Sequence, residues 1–196
     1  MLISGVVKEK ACAEQIRIQA PTYVLDLGTN GWVVFLMGEI EYGITKGLEA
    51  LINKNRDVTD IVLESRGGSP FEVRGLARVI RHHRLDTHVA AGCFSDCTLA
   101  FIDEETRMLG SDGRLGFHGY LLEGPYQVPF ADIRREQEID RQAFELRDVL
   151  GSFLAKIVTS LISEMWLRSA TELQEKGVVH SVLGRPFTRQ RRSSGL

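Results

Sequence analysis

A chain of 196 residues with 24 basic and 26 acidic side chains carries a formal net charge of −2, and 43% of it is hydrophobic. These values suit one soluble α/β domain and exclude a disordered chain or a coiled coil. So small a net charge creates no broad field that would point to nucleic acid or an anionic membrane as a partner.

In chain order, Met1 to Ala20 is interrupted by Lys8, Glu9, Lys10, Glu14 and Arg17, so it lacks the apolar core of a signal peptide and the chain as written is expected not to be exported. Trp32 to Met37 is an apolar run of strand length bounded by Gly31 and Gly38, well short of the ~20 apolar residues that span a bilayer, and no integral membrane segment is expected. Ile44, Leu48, Leu51 and Ile52 then recur at helical spacing, and Ile61 to Leu63 forms a short buried strand, which completes a β-α-β unit. Gly67 and Gly68 end that strand. Phe71, Val73, Leu76, Ala77 and Ile80 mark a second helix that stops at the basic cluster Arg81 to Arg84, and Thr87 to Ala90 is a third strand.

The segment Gly92 to Phe101 reads as a glycine turn leading into a short helix, and Arg107 to Leu109 and Arg114 to Phe117 as two strands joined at Gly110 to Gly113. Beyond a Gly/Pro-rich loop around Gly124 and Pro125, apolar residues from Leu146 to Leu161 form a stripe that closes one helix of about eight turns. Residues 1–183 are expected to make a single domain, and the tail from Gly184 to Leu196, with Arg185, Arg189, Arg191 and Arg192 among small residues, a disordered end. Repeated β-α units with short connections imply a mainly parallel sheet covered by helices.

In such sheets the loops at the carboxyl ends of the strands form the binding crevice. Three of those loops carry Gly67-Gly68, Ser95 and His118. Acyl transfer needs a nucleophile, a base to take its proton and donors aimed at the developing oxyanion. Ser95 precedes a helix, where free N–H groups favour negative charge, and His118 ends a strand. The amide of Asp96 and that of Gly67 or Gly68 are the candidate oxyanion donors, because only glycine lets backbone approach a substrate so closely. Taken singly, each has a plainer reading: Ser95 as a helix N-cap, the glycines as a turn, His118 as a surface side chain. Cys93 and Cys97 stand four apart, compatible with two buried thiols packing a helix or with a disulfide; Cys12 stands alone. With no further Cys or His pair at ligand spacing, no metal site is expected, and no cofactor is called for.

The segments Gly38-Glu39-Ile40, Leu63 to Ser69, Cys93 to Phe101 (Cys-x-Ser-x-Cys-Thr-x-Ala-Phe), Leu115-Gly116-Phe117-His118 and Glu175 to Val179 together resemble the successive landmarks of the ClpP-like periplasmic/membrane protein family. The resemblance implies a ClpP/crotonase-type spiral of β-β-α units and a serine endopeptidase-like hydrolase acting on peptides or unfolded proteins. It further implies self-association into a homo-oligomer, Ser95 as nucleophile, His118 as base, and Gly67, Gly68 and the Asp96 amide as the oxyanion hole. The position matching the acidic third member of the ClpP triad is Met165, which leaves the neighbouring Glu164 as the carboxylate expected to orient His118. Asp96 stands where the family has a small or apolar residue, and Arg66, where ClpP has proline, is the cation expected to offset it. Two other functions fit the same landmarks: a catalytically inactive oligomerisation or peptide-binding module, and a crotonase-like acyl-CoA enzyme using the same two amides to hold an enolate.

Overall fold

The computed structural model describes residues 22–104, 106–119, 132–160 and 164–184. Strand β1 (Tyr23–Leu27) turns at Gly28 to Gly31 and pairs antiparallel with β2 (Val33–Gly38). Four consecutive β2 residues, Val33 to Leu36, are buried, the mark of a strand covered on both faces. Helix α1 (Ile44–Lys54) buries Ile44, Leu48 and Ile52, a stripe at four-residue spacing that faces the sheet. Strand β3 (Asp60–Glu64) lies parallel to β2.

Helix α2 (Pro70–His83) starts on a proline that needs no N–H partner there, and it ends at Arg84 in the left-handed conformation. Its Phe71, expected on the core face, is 76% exposed, because the buried stripe runs through Val73, Leu76, Ala77 and Ile80 instead.

The chain continues through β4 (Asp86–Val89), β5 (Gly92–Phe94), α3 (Cys97–Ile102), β6 (Arg107–Gly110) and β7 (Arg114–Phe117). It then forms α4 (Ile133–Glu145), α5 (Gly151–Thr159), β8 (Trp166–Leu167), α6 (Ala170–Glu175) and β9 (Ser181–Leu183). Six strands form one sheet in the order β1-β2-β3-β4-β6-β9, parallel except for β1, and three form a second in the order β5-β7-β8. The result is an α/β fold with a mainly parallel sheet flanked by helices. Consecutive strands β4 and β5, and again β6 and β7, leave the first sheet for the second, so the strands flanking Gly110 to Gly113 do not pair with each other.

The single long helix expected through Leu161 is two helices. Asp148 adopts φ 61 and the Val149 amide returns to the Phe144 carbonyl, which ends α4; α5 restarts at Gly151 after the Leu150 amide binds the Lys176 carbonyl. The apolar stripe is continuous in sequence because both helices face one core, through Phe144, Val149, Phe153 and Leu154.

Arg107 pins the carboxyl-terminal segment to this core. It is 2% exposed, and its guanidinium donates to the carbonyls of Ile102, Glu104, Arg147, Gly177 and Val178. Burial lowers its pKa to about 10. The residues around Gly124 and Pro125, the segment Met1 to Ala20 with Cys12, and the basic tail beyond Gly184 lie outside the described residues.

Candidate active site

Strands β5 and β7 run parallel with Phe94 opposite Gly116, so the chain leaves the two strands side by side, with Ser95 on one exit and His118 on the other. The Ser95 amide donates to the Gly116 carbonyl at 2.9 Å, and the Ser95 carbonyl accepts from the Thr98 amide at 3.0 Å and the Thr98 hydroxyl at 2.7 Å. Held this way, Ser95 takes φ 55, a left-handed backbone unusual for a residue with a Cβ. Its Oγ lies 2.6 Å from His118 Nε2.

The other ring nitrogen fixes the protonation pattern. His118 Nδ1 lies 2.8 Å from the Gly119 carbonyl oxygen, which can only accept. Nδ1 therefore carries the hydrogen, and Nε2 is left to accept from the Ser95 hydroxyl, the arrangement a general base requires. Gly119 is itself held by a 3.1 Å bond from its amide to the Ser160 carbonyl at the end of α5. Next to His118 in the chain, Phe117 packs edge-on against Phe153 at 5.2 Å, and Phe153 meets Trp166 at 4.9 Å in a tilted pair.

Of the expected site residues, the fold brings Ser95, His118, Gly67 and the Asp96 amide together. A Cβ built on Gly67 would stand 3.0 Å from Ser95 Cβ and 3.2 Å from the Asp96 nitrogen, so the loop after β3 rests against the nucleophile loop, and Gly67 needs both its missing side chain and its φ of 103. The Gly67 amide donates to Ser65 Oγ at 3.0 Å. The amides of Gly68 and Asp96 take no partner among the described residues, which leaves that pair available to a ligand oxygen.

Glu164 is not brought in: it is exposed and makes no hydrogen bond to His118 among the described residues. The β7–β8 register pairs Gly116 with Leu167 and Phe117 with Trp166, and Met165 and His118 are the next residues beyond that ladder. A Cβ on Gly116 would meet Met165 Cγ at 2.7 Å, so the thioether lies against Gly116 on β7.

Asp96 is held protonated up to a pKa of about 6, first by burial and then by the Asp140 carboxylate, against the pull of His118 and Arg74. Arg66, expected to offset Asp96, is exposed and is not among those charges. Arg74 takes that place. It bonds Asp140 at 2.7 Å and also Glu136, tying α2 to α4. No periodicity marked this residue, since its partners lie more than sixty positions away.

A cavity of about 200 Å³ opens at the dyad, lined by Ser95, Asp96 and His118 together with apolar Leu99, Phe117, Phe144, Leu154, Ile157 and Val158. Cys93 and Cys97, for which buried thiols were the plainer expectation, form a disulfide across the nucleophile loop, with Cα atoms 5.4 Å apart.

Among solved structures, the chain is similar to ClpP1 from Listeria monocytogenes and to a mutant of the same protein. Each matches at a TM-score of 0.65 and 15% sequence identity over 79% of this chain and 92% of that chain. The fold is that of ClpP. No family model and no curated protein matches the sequence. A ClpP fold explains why the landmarks of Ser95, His118 and Gly67-Gly68 are scattered in sequence yet meet at one crevice: each ends a strand of the same layered arrangement.

Proposed function

We propose that the protein is a ClpP-like serine peptidase, with Ser95 as nucleophile, His118 as general base and the amides of Gly68 and Asp96 as the oxyanion hole. The observation that carries this reading is the 2.6 Å contact between Ser95 Oγ and an imidazole nitrogen that can only accept. In the reaction, Ser95 Oγ bonds to the peptide carbonyl carbon as its proton passes to His118 Nε2. The carbonyl oxygen takes up charge between the two amides, and the imidazolium returns the proton to the departing amine as the C–N bond breaks. Water, deprotonated by the same nitrogen, then releases the acyl group from Ser95.

The Gly119 carbonyl stands in for the usual carboxylate by keeping the hydrogen on Nδ1. It orients the ring but brings no full negative charge to the imidazolium, so turnover is expected to be slow; we do not assign Glu164 the orienting role. The cavity favours a large apolar side chain next to the cleaved bond, in a peptide or unfolded protein. The family resemblance and the fold support a spiral of β-β-α units and self-association of copies into rings or smaller oligomers.

That no carboxylate bonds His118 among the described residues also favours a second reading, a catalytically inactive peptide-binding module with the same cavity. Labelling with a fluorophosphonate probe, located by mass spectrometry, decides between them. The peptidase labels at Ser95, and labelling disappears in Ser95→Ala and falls at least ~100-fold in His118→Ala. A well-folded protein that takes up no label is the binding module.

A further inference from the structure

The disulfide has no part in the chemistry above, yet it encloses that chemistry. Cys93 lies in β5 and Cys97 is the first residue of α3, so the bond closes a ring over Phe94, Ser95 and Asp96 with Ser95 at its centre. We propose that the Cys93–Cys97 disulfide is a positioning element for Ser95, which is reactive while the pair is oxidised and loses reactivity when a dithiol reduces it. The inference rests on the peptidase reading for its activity assay and on geometry for everything else.

Three observations carry it. First, Ser95 holds a left-handed backbone that L-residues disfavour by roughly tenfold, and something must keep it there. Second, α3 begins without a side-chain cap from Asp96, so beyond the Thr98 bonds to the Ser95 carbonyl it is the disulfide that ties the first residue of the helix covalently to β5. Third, both cysteines are fully buried in the main core cluster, beneath the loop. Reduction removes the covalent tie between β5 and α3, and in a close-packed core the two freed thiols repack, a change the three-residue loop between them must take up. A nucleophile displaced by ~1 Å loses up to ~100-fold in rate.

The redox step balances simply. A dithiol gives two electrons and two protons to the Cys93–Cys97 bond, leaving two thiols here and a disulfide in the reductant. Because both sulfurs are buried, reduction proceeds through transient opening of the loop, so it is slow under native conditions.

The experiment uses the full chain carrying Cys12→Ser, so that the pair are its remaining cysteines. Oxidised protein and protein reduced with dithiothreitol are compared for fluorophosphonate labelling at Ser95, with the thiol state read by alkylation and mass spectrometry and the fold by circular dichroism. Reduction is expected to lower the maximal labelling rate at least tenfold with little change in the probe concentration at half-saturation. The Cys93→Ala/Cys97→Ala variant should label at the reduced rate and ignore dithiothreitol. Equal maximal rates in the two states overturn the proposal. A second readout needs no reactivity: the His118 ring resonances, followed by NMR, should shift on reduction as the Ser95 bond to Nε2 loosens. If they stay in place, the proposal is overturned even where the double variant fails to fold. Absence of labelling in the oxidised protein, by contrast, counts against the peptidase reading, and the ring resonances still decide this one.

Discussion

His118 donates its Nδ1 hydrogen to the carbonyl of its own neighbour, Gly119, at 2.8 Å. A peptide carbonyl therefore does the orienting that a distant carboxylate would do, and its position depends on how closely Gly119 approaches α5. A Cβ there would meet the Val158 and Ser160 carbonyl oxygens at 2.7 Å, both backbone atoms that cannot swing aside. Gly119→Ala is expected to tilt the imidazole and lower fluorophosphonate labelling about tenfold or more, with the far-ultraviolet circular dichroism of the wild type. Unchanged labelling kinetics in this variant would show that the carbonyl has no orienting role.

Met165 offers the opposite test. Met165 and His118 are the residues next beyond the paired ends of β8 and β7, and by the family resemblance Met165 matches the acidic member of the triad. Met165→Asp should offer Nδ1–H a charged acceptor, which stabilises the imidazolium formed as Ser95 attacks. Labelling is expected to rise about tenfold. A rate at or below wild type, with the fold intact, places the new carboxylate out of reach of the ring.

Asp96 links the site to stability. An unfolded aspartate titrates near 3.9, whereas in the fold burial and the Asp140 carboxylate raise the Asp96 pKa to about 6. Between those values the folded state binds the extra proton, so the contribution of Asp96 to stability is greatest below about pH 4, falls as pH rises to about 6 and is flat beyond. Asp96→Asn removes the penalty. In urea unfolding it should match wild type near pH 4 and exceed it by about 3 kcal/mol at pH 8. A difference independent of pH would mean that the carboxyl is not desolvated in the native state.

Several elements were legible in sequence because their cause is local. The stripe Ile44, Leu48 and Ile52 makes α1 wherever it is placed, and the runs around Leu36 and Val62 are too apolar and too short for anything but buried strands. Strands β1, β5, β8 and β9 escaped that reading. They are two to five residues long and mostly half-exposed, so their identity comes from the partner strand rather than their own pattern. The break at Asp148 was equally hidden, since the apolar stripe continues across it and the turn is held by the loop around Gly177.

Ser95, His118 and the paired glycines could be named from the sequence because a side chain, or its deliberate absence, is written there as a letter. Which group orients the imidazole could not, since a carbonyl belongs to every residue and only the approach of Gly119 to α5 selects one. The same holds for Arg74 and Arg107, whose partners are distant in sequence, and for the two sulfurs, whose four-residue spacing fits packed thiols as well as a bond until β5 and α3 set them 5.4 Å apart at Cα. Local sequence determines which chemical groups the chain carries and how each segment curls. The tertiary structure decides which groups meet, because hydrogen bonds and disulfides depend on distances of a few ångströms that only packing sets.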